Sequence, residues 1–420
     1  MNGTAAALRD RRPLRRRSGP IRLVCVDHLA TQECSRGLYH ALAESGEVEL
    51  TLVIPPRWRD NFRDIPADPP SGRFATEILP IWFPGKSNRC LHAGLGRLLR
   101  NLRPDVVFVQ AEPEDFLLSQ ILFLRAVHRL DFKVVFITWR NIPYPRSGIP
   151  YKFPWVYACT EFLGLRYGDR CFSFIESGRQ TLGARGFQAL DVIPPAIDTT
   201  FFRPTGNSRI RNELGLNSFT VGYFGRFVEE KGVGLLLEAV AGMERTARVL
   251  LVGDGPARAS WFARAQHLGI ADRLVHKPSV LRSEMPALLC ACDCVALASY
   301  ATRTWKEQFG RILVEAMACG VPVIGSDSGE IPAVIGEAGL VFPEKDVAGL
   351  RGALQRMAEE PALRERLAAL GRRRAEREYS CLAVAGRWIS ALRQMAGAQE
   401  TLRDRRAGAE PIVESRFGEC

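Results

Sequence analysis

Two carboxylates, Glu307 and Glu315, bracket a predicted helix start in ASYATRTWKEQFGRILVEAMACGVPVIGSD, residues 298–327. Ile312, Leu313, Ala316 and Met317 recur at helical spacing and Gly320 closes the run, so a helix is predicted to begin near Phe309 or Gly310. Glu307 then lies in the loop ahead of that helix, beside backbone N–H groups that have no acceptor within it. Those amides and the helix dipole form a site for an anion. Glu315 lies about two turns further along the same helix. One carboxylate beside an anion cradle and a second within reach suit a phosphate carrying hydroxyl-rich sugars on both sides. The chemistry implied is recognition of a nucleotide-sugar.

Two more loops carry suitable groups. Gly225 and Arg226 end the predicted strand FTVGYFGR, and Lys231-Gly232 opens the next helix. Small residues let backbone approach a ligand closely, while Arg and Lys fix positive charge where a pyrophosphate needs it. GDGP, containing Gly253 and Asp254, turns the chain after the following strand and is a candidate wall for a base or ribose. Each segment alone also fits an ordinary turn or a solvated helix start. Their convergence with Glu307 and Glu315 at one end of a single sheet favours a binding site.

The elements that position these loops are read from short apolar runs. IRLVCV, VELTLVIP, DVVFVQ, KVVFIT and RCFSFI alternate with helical stretches, and the alternation restarts at FTVGYFGR with RVLLVGDGP, RLVHKP and CDCVALAS. This is an α/β pattern of parallel sheets joined by right-handed crossovers. The proline-marked VIPPAIDTTFFRP reads as the hinge between two Rossmann-like domains. The predicted organisation is a basic tail (1–20), a first domain (21–200), a second domain (201–380), and a C-terminal helix and tail (381–420) packing back on the first domain. CLHAGLGRLLRNLRP is predicted as one amphipathic helix with Arg97, Arg100 and Arg103 on its polar side. It reads as a helix covering the sheet, although a basic amphipathic helix also fits an anionic membrane.

Ligands of such sheets bind beyond the carboxyl ends of the strands. In the first domain those ends lead into residues 111–115, 138–148 and 176–179. Glu112, Trp139, Arg140 and Asn141 are the candidates there for contacting an acceptor or the donor sugar, followed by Tyr144, Arg146 and Tyr151. The first strand-to-helix connection, DHLATQECSRG, lacks a dinucleotide glycine fingerprint, which argues against a nicotinamide-dependent dehydrogenase.

Composition bounds the rest. The 420 residues suffice for two domains, and 46% hydrophobic with 25% charged residues is ordinary for a globular protein. No apolar run reaches membrane-spanning length, and the arginine-rich start has no apolar segment behind it, so neither a transmembrane helix nor a secretory signal is expected. The eleven cysteines are odd in number and scattered, and Cys290, Cys292 and Cys294 lack zinc-site spacing; they read as small apolar residues, and no metal site is expected. The net charge of +11 includes Arg9, Arg11, Arg12, Arg15, Arg16 and Arg17 in the tail. This cluster fits an anionic membrane surface; nucleic acid, resting on the tail alone, is not expected as a partner.

GRFVEEKG, LLVGDGP, the Glu307–Glu315 pair and FGRILVEAMACGVPVIGSDSGEIPAVI together resemble the retaining family 4 glycosyltransferases of the GT-B fold, over roughly residues 170–380. The hinge is similar too, with Pro195-Ala196 where the family has Asn-Gly. The resemblance implies that Arg226 and Lys231 hold the donor diphosphate and that Glu307 contacts donor-sugar hydroxyls. It places the backbone around Phe309, Gly310 and Arg311 at the phosphates and Glu315 at the ribose, with no cofactor and no essential metal. The first domain departs from the pattern: there is no Gly-Gly after its first strand, and Thr138-Trp139-Arg140-Asn141 stands where the family carries a histidine. The expected protein is a cytoplasmic or membrane-peripheral hexosyltransferase. It would move sugar from a UDP- or GDP-hexose to a glycan or lipid-linked acceptor in envelope or exopolysaccharide synthesis. A non-catalytic nucleotide-sugar-binding protein and a sugar-nucleotide epimerase are the competing readings.

Overall fold

Short runs rich in Val, Ile, Leu and Phe, apolar on both faces, become the strands of two parallel sheets. The computed structural model describes residues 19–59, 64–143, 153–206, 208–243, 247–278 and 280–397. The tail arginines Arg9 to Arg17, the end of the C-terminal tail, and Tyr144, Arg146 and Tyr151 lie outside the described residues.

The first sheet contains β1 (Ile21–Val26), β2 (Val48–Ile54), β3 (Ala75–Ile78), β4 (Val106–Val109), β5 (Lys133–Thr138), β6 (Arg170–Ser173) and β7 (Leu190–Val192). Their spatial order is β7-β6-β5-β4-β1-β2-β3, every neighbouring pair parallel. The second sheet contains β8 (Thr220–Phe224), β9 (Arg248–Val252), β10 (Leu274–Lys277), β11 (Cys294–Leu297), β12 (Val323–Ser326) and β13 (Gly339–Phe342), in the order β10-β9-β8-β11-β12-β13. In each sheet the order reverses beside the first strand of the domain. That places the loops after β1, β4 and β5 and those after β8, β9 and β11 at the mouths of two crevices.

One continuous core runs from one face of the first sheet, past the hinge, into the second domain. Helix α1 (Gly37–Glu44) covers that face with Tyr39 and Leu42, and a separate core fills the space between the first sheet's other face and the helices α2 (Leu95–Leu102) and α3 (Phe116–Val127). The last helix, Cys381–Gly397, returns to the first domain, where Trp388 packs 4.3 Å from Phe108 and 5.1 Å from Phe172, ring centre to ring centre. Ile197 pairs with Ser380, so the hinge and the start of that helix cross side by side.

One local expectation is corrected. The stretch predicted as one helix from Cys90 is split: Leu91–His92 pairs with Ile81–Trp82 as a short antiparallel hairpin, and only Leu95–Leu102 is helical. The amide of Gln120 on α3 bonds the N–H and C=O of His92, holding it extended. The loop after β1 is organised without a glycine pair. Arg36, fully buried, donates to the carbonyls of Ala30, Thr31, Asp68 and Pro69 and ties two loop segments together.

Candidate active site

The donor-side loops meet at Glu307. Glu307 is buried, and its Oε2 accepts from Lys231 Nζ at 2.7 Å and from Ser299 Oγ at 2.7 Å. Lys231 reaches this point because the following Gly232, at φ 70°, brings the chain against β11: a Cβ there would stand 1.9 Å from the carbonyl oxygen of Ala298. Only glycine allows that approach. The Lys231 ammonium also lies 5.1 Å from the centre of the Trp305 ring, a cation–π contact on its second side.

Around this pair the other predicted groups take their places. The helix carrying Glu315 spans Arg311–Ala318 with Gly310 as its cap, one residue later than predicted. Its first amides, at Arg311 and Ile312, have no intrahelical acceptor and carry the positive end of the helix dipole. Glu315 is buried, and its Oε1 accepts from Arg311 Nε at 3.1 Å and from Arg282 Nη1 at 3.5 Å. Arg226 is exposed at the end of β8, its carbonyl fixed by the Tyr223 hydroxyl at 2.6 Å. Burial and the charge of Glu307 raise the pKa of that phenol, and Arg226 opposes them. Gly253 packs its turn onto Gly225, where a Cβ would stand 2.0 Å from the Gly225 oxygen. Asp254 shapes the same turn, accepting from its neighbour's amide, Gly255 N–H, at 2.8 Å. Phe309 turns its ring into the core against Tyr379, so only its backbone can face a ligand.

The first domain closes over this assembly. Asn141 Nδ2 donates to the carbonyls of Lys306 and Glu307, both at 3.0 Å, and Gln308 Nε2 donates to the Trp139 carbonyl at 2.9 Å. Ser177 Oγ donates to Glu330 at 2.6 Å on the opposite side of the cleft. Loops from the carboxyl ends of both sheets are therefore joined directly at Glu307.

Residues 206–374 match the model of the family described as glycosyl transferases group 1. This stretch is therefore similar to the group 1 glycosyl transferases. It contains Arg226, Lys231, Glu307 and Glu315 together. Over 200 residues, 44% of its length, the chain is 32% identical to a D-inositol 3-phosphate glycosyltransferase of Segniliparus rotundus, of which 42% is covered. It is 30% identical over 185 residues to a 2-deoxystreptamine glucosyltransferase of Streptomyces kanamyceticus, covering 42% of this chain and 46% of that protein. The chain thus spans under half the length of these two relatives. The fold extends further: Anabaena HepE in complex with UDP superposes with a TM-score of 0.66 at 18% identity, over 89% of this chain and all of that one. The two-domain architecture is GT-B.

The second domain keeps its predicted residues in one place, but two first-domain candidates go elsewhere. Arg140 does not face the cleft. It is buried, with Nη2 2.6 Å from Glu114 and Nη1 2.5 Å from Glu161, and Arg185 holds the second oxygen of Glu161 at 2.5 Å. Burial opposes its charge, yet Glu114, Glu112 and Glu161 hold the guanidinium charged beyond its usual range. The Trp139 ring packs 4.0 Å from Phe174, in the half-buried layer over the core, so the expected stacking on a sugar is replaced by internal packing. No alternation pattern signals this, because Trp139 and Arg140 lie past the end of β5 at Thr138. Ser299, Trp305 and Arg282 join the cluster around Glu307, Lys231 and Glu315, and no sequence signal singled them out.

Glu112 sits beside this segment. Its Oε1 accepts from the Trp139 N–H at 2.6 Å, and its Oε2 is buried with no partner among the described residues. Burial and neighbouring Glu114 push its carboxyl from 4.5 up to about 7, against the opposing pull of Arg140, the Trp139 N–H and Thr138. The folded chain therefore holds this proton more tightly than the unfolded chain does. Ionisation of Glu112 withdraws stability as pH rises from 4.5 to 7, by about 3 kcal/mol in all. Glu112→Gln removes the titration. The unfolding free energy of the wild type, minus that of the variant, should fall by about that amount across the same interval in urea titrations. A difference that stays flat with pH would mean that Glu112 titrates as it does in the unfolded chain.

Among the described residues no group of three or more His, Cys, Asp or Glu side chains is placed to hold a metal ion. No helix among them is long and apolar enough to cross a membrane.

Proposed function

We propose that the protein is a retaining glycosyltransferase that transfers a hexose from a UDP- or GDP-sugar to a glycan or lipid-linked acceptor in envelope or exopolysaccharide synthesis. The observation that carries this reading is the Lys231–Glu307 pair at the head of the helix that bears Glu315. In the reading, Arg226, Lys231 and the first amides of that helix neutralise the donor diphosphate, and Glu315 takes the ribose hydroxyls. Glu307 is held by Lys231 and Ser299, so its free oxygen is left to orient a sugar hydroxyl. Glu307 and Glu315 are binding carboxylates, each already committed to cations, and not an acid–base pair.

The leaving diphosphate would assist the incoming hydroxyl, and catalysis would rest on positioning and on stabilising the charge that develops on the phosphate. Arg226, Lys231 and the helix start supply that positive charge, so the reading calls for no metal cofactor. It places the protein at the cytoplasmic membrane face, where lipid-linked acceptors are met. The HepE structure, with UDP bound in the same fold, supports a nucleotide donor.

The test is a panel of UDP- and GDP-hexoses offered with and without acceptors, with product anomers assigned by NMR. Binding and turnover with retained anomeric configuration are expected for at least one donor. Absence of both binding and turnover across the panel would sink the proposal. Tight donor binding without turnover would favour a non-catalytic role, a reading motivated by the commitment of Asn141 and the Trp139 carbonyl to joining the domains.

A further inference from the structure

The first domain leaves a strip of large apolar side chains in solvent. It lies along α3 and the neighbouring helix α4 (Pro154–Tyr167). Phe116 stacks on Tyr157, Thr160 Oγ1 donates to the Glu114 carbonyl just ahead of α3, and Arg125 Nη2 donates to the Tyr167 carbonyl at 2.6 Å, so the two helices pack against each other. Their common outer surface carries Phe123, Trp155 and Phe162 at 65%, 70% and 63% exposure, with Val127, Leu163 and Tyr167 beside them. An apolar crest of this size on a globular domain marks a surface that something covers. Amphipathic periodicity accounts for none of it, since these residues point away from the sheet.

The surroundings of the crest are basic. Helix α2 abuts the other flank of α3, where a Cβ on Gly96 would meet Leu124 at 2.8 Å and His128 at 3.3 Å. Its outer side presents Arg97, Arg100 and Arg103, all exposed, with Arg129 exposed just past the end of α3. Of the carboxylates near the helices, Glu161 is turned inward to Arg140 and Arg185, Asp169 is tied to Arg125 and Lys133, and Asp131, close to Arg129, is exposed. A crest of Trp, Phe and Leu beside a row of arginines is matched by a surface that is apolar inside and anionic outside. A second copy of the same face would set arginines against arginines.

We propose that the α2–α3–α4 face docks on an anionic lipid bilayer, with Phe123, Trp155 and Phe162 entering the interface and the α2 arginines meeting the headgroups. Trp and Phe sit well at the boundary of headgroups and acyl chains, and long arginine side chains keep their charge at headgroup level. Both α3 and α4 start at the carboxyl ends of their strands, on the crevice side of the sheet. Trp155, in the first turn of α4, is therefore the crest residue nearest the crevice. The inference is independent of the reaction, because vesicle binding is read without donor or acceptor. It is also distinct from the arginine-rich tail.

The experiment is co-sedimentation of the full chain with vesicles of phosphatidylcholine alone and of phosphatidylcholine with phosphatidylglycerol. Binding is expected only with the anionic vesicles. Trp155→Ala/Phe162→Ala should weaken it about tenfold or more, from lost apolar burial. Arg97→Glu/Arg100→Glu should weaken it by at least a similar factor at low salt. All four side chains are exposed, so the fold should hold, and unchanged melting of each variant checks this. Removal of residues 1–18 should leave a binding fraction that still depends on Trp155 and Phe162. Failure to bind anionic vesicles, binding indifferent to both double substitutions, complete loss with the tail deletion alone, or equal binding to neutral vesicles would each overturn the proposal. So would a dimer in solution that the Trp155/Phe162 substitutions dissolve.

Discussion

Lys231→Ala is expected to lower kcat/KM about 100-fold or more, the scale of losing one fixed charge aimed at a developing anion. Lys231 is the one cation bonded to Glu307 among the described residues, at 2.7 Å, so the substitution has a second consequence. It leaves a buried carboxylate with only the Ser299 hydroxyl, and that carboxylate would turn towards the space the diphosphate should occupy. Donor affinity should therefore fall together with turnover. Glu307→Gln in the Lys231→Ala background separates the two effects. If stranded negative charge is part of the defect, the double variant regains some UDP affinity by calorimetry, although not full activity. Unchanged donor affinity and turnover in Lys231→Ala would remove this lysine from the site.

Arg140→Leu is expected to destabilise the fold by about 3–5 kcal/mol, because removing one partner of a buried ion pair strands the other. Glu114 loses the guanidinium 2.6 Å away, whereas Glu161 keeps Arg185. Combining the change with Glu114→Gln should restore much of the loss, and urea unfolding of the single and double variants measures both. A single variant as stable as the wild type would mean that the cluster is solvated and that Arg140 is free to move into the cleft. The position matters because Trp139 and Asn141, its neighbours, carry the contacts to Gln308, Lys306 and Glu307. The buried cluster is therefore the anchor of the segment that joins the two domains.

The donor half was legible in the sequence because its groups are fixed by local chemistry. Gly232 and Gly253 mark points where backbone touches backbone, and the spacing of Glu307 and Glu315 follows from a helix start between them. Strand order, a short loop and a glycine suffice to bring such residues to one end of a sheet. The first-domain side was legible only as a location. Residues 139–141 do lie at the mouth of the cleft, as the end of β5 requires, but their types misled. A tryptophan and an arginine in a loop suggest ligand contacts when their neighbours are unknown.

What the sequence by itself determined is therefore the two parallel α/β domains, the hinge between them and the residues gathered at the donor end. Periodicity, glycine positions and short-range charge spacing act within one element or its next neighbour. What only the tertiary structure decided is which side chains are spent on the interior. Glu114 and Glu161 come from different elements, distant in sequence, and their convergence turned Arg140 from a ligand candidate into a buried ion-pair centre. The same packing put Trp139 against Phe174 and left Phe123, Trp155 and Phe162 outside. Burial depends on what the whole chain places on each face, and no window of sequence contains that information.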